Sequence, residues 1–246
     1  MIELVIEIAK NASSEIMQIY NSQNFEIELK NDNSPVTKAD ITSHNIIIEG
    51  LKRISEYPIL SEEDVIPYEI REKWTKFWLV DPLDGTKDFI AKNGQFTINI
   101  ALIDNEKPVL GVVYIPYSDD VYYAQINNGA FKNGKRIFNK SARIDLIAAD
   151  SNFHSTHAMK DFFKLHNIKN IKKIGSSIKI CKLAEGKIDV YPRLNETKEW
   201  DTAATHIIAN EAGCKLIDIK TKNELKYNKK SYKNNFFIAS RNNLEF

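Results

Sequence analysis

Trp78-Leu79-Val80-Asp81-Pro82-Leu83-Asp84-Gly85-Thr86 is the stretch from which the rest of the chain can be read. With Phe77 in front of it, the apolar run predicts a buried strand ending at Asp81. Pro82 breaks the hydrogen-bond ladder and stiffens the turn, so the Leu83 carbonyl and the Asp84 carboxylate can converge near Asp81. Gly85 and Thr86 then begin a short helical segment, whose unpaired N–H groups form an anion site. Hard oxygens beside a phosphate cradle suit Mg²⁺, which prefers one or two carboxylates plus substrate phosphate oxygens. The same residues also fit a plain strand–turn–helix junction in which Asp84 only caps the helix.

Three further acidic positions bear on that choice. Ser61-Glu62-Glu63-Asp64 follows the apolar Ile59-Leu60 and by itself reads as a solvated loop. Trp200-Asp201-Thr202-Ala203-Ala204 sets an acid at a helix N-terminus, where an ordinary N-cap is common. Asp40 stands three residues after Thr37, as a first-turn acid would to complement a helix dipole. If these acids meet at one point, their mutual repulsion requires cations to hold them. Together they suggest a multi-metal phosphoryl site.

Around these positions the chain changes texture. Ile2, Val5, Ile6, Ala9, Ala12, Ile16 and Ile19 predict an amphipathic helix to about Tyr20. Phe25–Leu29 alternates like a strand, Asn31-Asp32-Asn33-Ser34-Pro35 is turn chemistry, and Thr37 caps a helix over Lys38–Ile54. Strands follow over Phe96–Ile103, Val109–Tyr117 and Val121–Ile126, with hairpin signals at Asn128-Gly129 and Asn133-Gly134. After Ile144 strands and helices alternate: Leu146–Ala149, Thr156–His166, Ile171–Ile174, Ser176–Glu185, Ile188–Tyr191, Asp201–Ala212, Lys215–Ile219 and Phe236–Ala239. An α+β half (1–144) carrying most of the acids, then an α/β half (145–246), is the expected organisation.

Composition narrows the partners. The chain has 246 residues, with 34 Lys+Arg against 33 Asp+Glu and a formal charge of +1. That balance gives no electrostatic footprint for nucleic acid or an anionic membrane surface. The longest apolar run, Val109–Tyr117, contains Gly111 and Pro116 and is too short to span a bilayer. Glu3 and Glu7 interrupt the apolar N-terminus, against a signal peptide. Two cysteines, Cys181 and Cys214, supply neither a disulfide framework nor a four-thiolate metal site. A cytoplasmic protein without an integral membrane segment is expected; peripheral association with the inner membrane stays open.

Asp81-Pro82-Leu83-Asp84-Gly85-Thr86 and Trp200-Asp201-Thr202-Ala203-Ala204 resemble the two signatures of the inositol monophosphatase superfamily of Mg²⁺-dependent, Li⁺-sensitive phosphatases. Ser61-Glu62-Glu63-Asp64 and Ser34-Pro35-Val36-Thr37-Lys38-Ala39-Asp40 match its other two blocks, in the same order. Trp78–Ile90 and Gly175–Gly186 are most similar to the CysQ-type 3′(2′),5′-bisphosphate nucleotidases, which convert adenosine 3′,5′-bisphosphate to AMP. The resemblance implies a layered α/β/α/β/α sandwich of the inositol monophosphatase / fructose-1,6-bisphosphatase type, with the site where the halves meet. It implies one Mg²⁺ on Glu62, Asp81 and the Leu83 carbonyl and a second on Asp81, Asp84 and Asp201. Gly85 and Thr86 would bind the scissile phosphate. Thr86, with Glu62 or Asp40, would orient the attacking water, or Asp40 would act through a third, loosely held ion. Many relatives dimerise, so a homodimer is implied as well.

Substrate choice should come from groups that hold a second phosphate. Ser176 and Lys179 at a helix start, and Arg193 after a strand, match the positions where the bisphosphate nucleotidases hold the 5′-phosphate. Arg193 offers bidentate recognition. His154 matches a histidine near the adenine, and Asp201 doubles as a substrate contact. Asn152, where that block often has Arg, and Thr205, where a small residue is common, are departures that bear on nucleotide selectivity. The alternatives are an inositol or sugar monophosphatase of relaxed specificity, and a metal- or nucleotide-binding protein without turnover.

Overall fold

Apolar side chains recurring on one face bury Val5, Ala9, Ala12 and Ile16 of α1 (Ile2–Ser22) completely. The computed structural model describes residues 1–22, 25–29 and 35–246. The expected turn at 31–34 lies outside the described residues. The short strands β1 (Glu28–Leu29) and β2 (Pro35–Val36) pair antiparallel ahead of α2 (Lys38–Ile54). That helix has the expected bounds because Thr37 and Asp40 form a reciprocal capping box at its first turn.

Next come β3 (Ile59–Ser61), a single turn α3 (Tyr68–Arg71), β4 (Lys76–Asp84) and the short α4 (Thr86–Ile90). The strands β5 (Thr97–Asp104), β6 (Lys107–Ile115), β7 (Asp120–Gln125), β8 (Gly129–Lys132) and β9 (Lys135–Ile137) then run as a meander. They form a seven-stranded sheet in the order β3-β4-β5-β6-β7-β8-β9, antiparallel except for the parallel pair β3–β4. Both faces of β4 are covered, which explains its unbroken apolar run. Trp78 and Val80 face α1 and α2, while Phe77 and Leu79 belong to a core shared with the C-terminal half.

That half contains β10 (Ile147–Asp150), α5 (His157–Leu165), β11 (Asn170–Lys173), α6 (Ile178–Ala184), β12 (Val190–Arg193), α7 (Ala203–Glu211), β13 (Cys214–Asp218) and β14 (Phe237–Arg241). Its sheet has the order β11-β10-β12-β14-β13, parallel on the β11–β10–β12 side and antiparallel on the other. Helices α6 and α7 lie between the two sheets, so the layers alternate α/β/α/β/α. At Gly111 of β6 a side chain would collide with the Ala204 backbone, so α7 lies directly on the first sheet. Among the described residues no helix is long and apolar enough to cross a membrane.

Several boundaries differ from expectation. Tyr191-Pro192-Arg193 lies within β12 rather than after it. β12 meets β10 only at Val190, so Pro192 removes no ladder bond on that side. Helix α6 starts at Ile178, leaving Ser176 and Ser177 in the preceding turn, and α7 starts at Ala203, two residues beyond Asp201.

Candidate functional site

The bend after Asp81 interrupts the β4–β5 register between Asp81 and Asp84, where Pro82 cannot donate to the ladder. Asp81 is buried, and its Oδ1 accepts the Leu83 N–H at 3.1 Å. The parallel pairing of β3 continues one residue further, through the Glu62 N–H to the Val80 carbonyl at 3.1 Å, which sets Glu62 beside Asp81. Asp201 comes from the far half of the chain. Its Oδ2 accepts the Lys198 N–H at 2.9 Å, a contact upstream of α7, so it does not act as that helix's N-cap.

Carboxylate oxygens of Glu62, Asp81 and Asp201 lie within 4.8 Å of one another. Burial, then the charges of Glu62, Asp84 and Asp201, raise the Asp81 pKa well above the ordinary carboxylate range. Burial, then Asp84 and Glu62, push Asp201 up to about 8. Asp84 stands beside the trio, its Oδ2 accepting the Ser177 N–H and, at 3.4 Å, the Thr97 hydroxyl. Burial raises its pKa too, opposed by Lys179 and the Ser177 N–H. Glu63 donates its N–H to Ser61 Oγ at 3.4 Å, and its charge adds only a minor increment at Asp81. So dense an all-oxygen acid cluster fits hard divalent cations, which would offset the repulsion raising these pKa values.

Asp40 serves both as a cap and as a support for Thr86 of the site. Its Oδ2 accepts the Thr37 N–H at 2.7 Å and the Thr37 hydroxyl at 2.6 Å. Its Oδ1 accepts the Thr86 hydroxyl at 3.1 Å, an oxygen also 3.4 Å from the Leu83 carbonyl. Gly85 has φ 93°, open to glycine at little cost, and a side chain there would meet Ser176 Cβ and the Gln95 carbonyl at 3.1 Å.

Glu62, Asp84, Gly85, Thr86, His154, Ser176, Lys179, Arg193 and Asp201 line one cavity of about 210 Å³. Asp40 reaches it through Thr86, while Asp81 and Leu83 sit deeper in the turn. Lining the same cavity, Lys179 and Arg193 are only 4% and 8% exposed, too buried for ordinary surface cations. Lys179 Nζ donates to the Ile174 carbonyl at 3.1 Å and lies over the Tyr191 ring. Arg193 Nη2 donates to the Glu196 carbonyl at 2.8 Å, and its buried Nε has no partner among the described residues. Burial and then Arg193 pull the Lys179 pKa down to about 8. Ser176 adopts φ 44°, a left-handed conformation that a non-glycine residue holds only under constraint. His154 is exposed at the rim, yet its ring loses enough hydration there, with Arg193, Lys87 and Lys179 near, to fall to about 4 and stay neutral.

Residues that sequence reasoning missed hold this frame. Ser177 and Thr97 fix Asp84, and Asp88 accepts from Asn93 and Asn152. Ser177 follows Ser176 in the Gly-Ser-Ser turn and could have been suspected; the others are brought together only by folding.

Residues 1–245 match the sequence model described as the inositol monophosphatase family. The chain belongs to that family. Among relatives of this family member, the 3′(2′),5′-bisphosphate nucleotidase CysQ of Escherichia coli (strain K12) is 43% identical over 224 residues, covering 89% of this chain and 90% of the relative. The Buchnera aphidicola protein of the same name is 41% identical over 251 residues, covering 98% and 93%. The crystal structure of CysQ from Bacteroides thetaiotaomicron superposes with a TM-score of 0.88 at 38% identity, covering 98% of this chain and 97% of that one.

Proposed function

We propose that this member of the family is a Mg²⁺-dependent, Li⁺-sensitive phosphatase that removes the 3′-phosphate of adenosine 3′,5′-bisphosphate, giving AMP and phosphate. The observation that carries the reading is one cavity lined by both an acidic pole, Glu62, Asp84 and Asp201, and a cationic pole, the buried Lys179 and Arg193. A substrate with one phosphate on the cations that the acids would hold and a second on Lys179 and Arg193 satisfies both. The names of the relatives point the same way.

Glu62, Asp81, the Leu83 carbonyl, Asp84 and Asp201 would hold two Mg²⁺, with Asp40 available to a third. Magnesium bound there supplies Lewis-acid polarisation of phosphate oxygens and of water. The chain's own residues do the orienting. Thr86 donates its hydrogen to Asp40 Oδ1, which leaves its lone pairs to accept a hydrogen bond from the attacking water. Asp40 is pinned through its other oxygen and keeps that hydroxyl from turning. The backbone N–H groups of Gly85 and Thr86 hold the scissile phosphate. A P–O bond forms to water as the ester P–O bond breaks, and no side-chain nucleophile intervenes. Ser176, Lys179 and Arg193 take the 5′-phosphate, and neutral His154, on the lining of the same cavity, takes the adenine. In this reading residues 1–144 supply most of the cation ligands, and 145–246 supply Asp201 and the selecting groups. The expected location is cytoplasmic, and a homodimer accords with the family.

Phosphate release from adenosine 3′,5′-bisphosphate and from inositol 1-phosphate, each with Mg²⁺ and with Li⁺ added, tests this. Preference for the inositol ester would replace it with the monophosphatase reading, and no turnover of either would leave a binding protein.

A further inference from the structure

Two turns carry the groups that face the two phosphates: Gly85-Thr86 between β4 and α4, and Gly175-Ser176 between β11 and α6. They touch at two glycines. A side chain on Gly85 would meet Ser176 Cβ at 3.1 Å, and one on Gly175 would meet the Asp88 carboxylate at 2.7 Å. Asp88 is buried, one turn of α4 beyond Gly85, and its Oδ1 accepts from the side-chain amides of Asn93 and, at 2.7 Å, Asn152. The same Asn152 amide donates to Gln95 Oε1 at 3.1 Å, and that oxygen also accepts the Gly175 N–H. The contacts close a ring of Asp88, Asn152, Gln95 and Gly175.

We infer that this ring is a spacer that fixes the separation of the two phosphate positions, with Asn152 as its positioning residue. This rests on the reading that the substrate carries two phosphates. Asn152 comes from a third segment, the loop after β10, and spends both hydrogens of one NH₂ group on two different neighbours. It thereby fixes the angle between the α4 turn and the turn that carries Ser176 and Lys179. Asn152 itself is only half-buried, so the hydrophobic core does not depend on it. Loss of its amide leaves the Asp88 and Gln95 oxygens short of a donor, and the turns drift apart. Misplacement by an ångström is enough to weaken binding groups strongly when both ends of a ligand must be met at once.

The test pairs adenosine 3′,5′-bisphosphate with adenosine 3′-monophosphate, which has the same scissile ester and no 5′-phosphate. Asn152→Ala should lower kcat/KM on the bisphosphate about tenfold, mainly through KM, and leave the monophosphate within about twofold. Gly175→Ala, which forces the Asp88 carboxylate outward, should shift the ratio the same way. Equal losses on both substrates, or an unchanged ratio in Asn152→Ala, would overturn the spacer. Wild type and Arg193→Ala run alongside separate the two ideas. A wild type without preference for the bisphosphate sinks the reading of the site. A wild-type preference that Arg193→Ala removes and Asn152→Ala keeps sinks the spacer alone.

Discussion

Replacing Arg193 by Ala tests the cationic pole directly. The guanidinium is buried, with Nη2 on the Glu196 carbonyl, Nη1 3.4 Å from the Tyr191 hydroxyl and Nε without a partner among the described residues. Its free donors suit a phosphate. Hydrogen bonds to charged groups contribute roughly 1.5–3 kcal/mol each. A phosphate charge about 4 Å away adds about 4 kcal/mol at an effective dielectric of about 20, before desolvation of the phosphate is set against it. Lys179 remains and, with a pKa of about 8, is still mostly protonated at neutral pH, so part of the attraction survives. A net loss of about 3 kcal/mol, about 150-fold in kcat/KM, is expected on adenosine 3′,5′-bisphosphate. The 3′-monophosphate should change by no more than about twofold. Arg193→Lys should fall between, because it keeps the charge and loses the fork.

Taking the ratio of the two substrates cancels any uniform loss of folded enzyme. The pH profile adds an independent check. Burial lowers the Lys179 pKa most and Arg193 lowers it next, so kcat/KM on the bisphosphate should decline above pH about 8 as Lys179 loses its proton. Without Arg193 the like-charge repulsion is gone and that decline should move to higher pH. Equal losses on both substrates, or an alkaline limb that stays in place, would refute the assignment of Arg193.

Asp81→Asn should abolish turnover by more than about a thousandfold while raising metal-free stability by about 1–2 kcal/mol in calorimetry, because the amide keeps the Leu83 contact and removes a repelled charge. In EDTA the wild type should lose a few kcal/mol at most as pH rises from about 4 to about 8: Asp201, held near 8 when folded, carries a proton that the unfolded chain has already released. Saturating Mg²⁺ should suppress that slope, and an apo protein that gains stability over this range would contradict it. Thr86→Val should cut kcat about a hundredfold with little change in KM, since the hydroxyl orients water rather than substrate. A chiral thiophosphate substrate should react with inversion at phosphorus; retention would reveal a covalent phosphoenzyme.

The bounds of α2 were legible because a Thr cap and an acid three residues on are a local device, complete within one turn of helix. The β4 strand and its turn were legible because burial on both faces leaves an unbroken apolar run and Pro82 punctuates it. Convergence of the acids was not visible in the residues themselves. Glu62 reaches Asp81 through a three-residue strand too short to leave a periodic signal, and Asp201 reads as a helix cap until its carboxylate is seen to accept Lys198 N–H instead. The four-block resemblance supplied what periodicity could not. Asp88 and Asn152 illustrate the remaining gap: Asp88 looks like an ordinary polar residue, Asn152 stands out only as a departure from its block, and their bond joins segments 64 positions apart.

Each pole of the cavity is electrostatically unfavourable on its own. The acids raise one another's pKa, and Arg193 lowers that of Lys179. Neither cluster could persist on a flexible surface, where side chains would turn apart into water. They persist because strands buried on both faces end at the cavity, so rigid backbone holds like charges together and the two hydrophobic clusters on either side of the first sheet oppose their repulsion. Such an arrangement discriminates by omission as well as attraction. A monoester leaves the mutual repulsion of Lys179 and Arg193 only partly offset by the neighbouring carboxylates, whereas the second phosphate of a bisphosphate relieves it. Preference for two phosphates would then follow from what the empty cationic pole costs, which is why the ratio of the two adenosine substrates, rather than either rate alone, is the informative quantity.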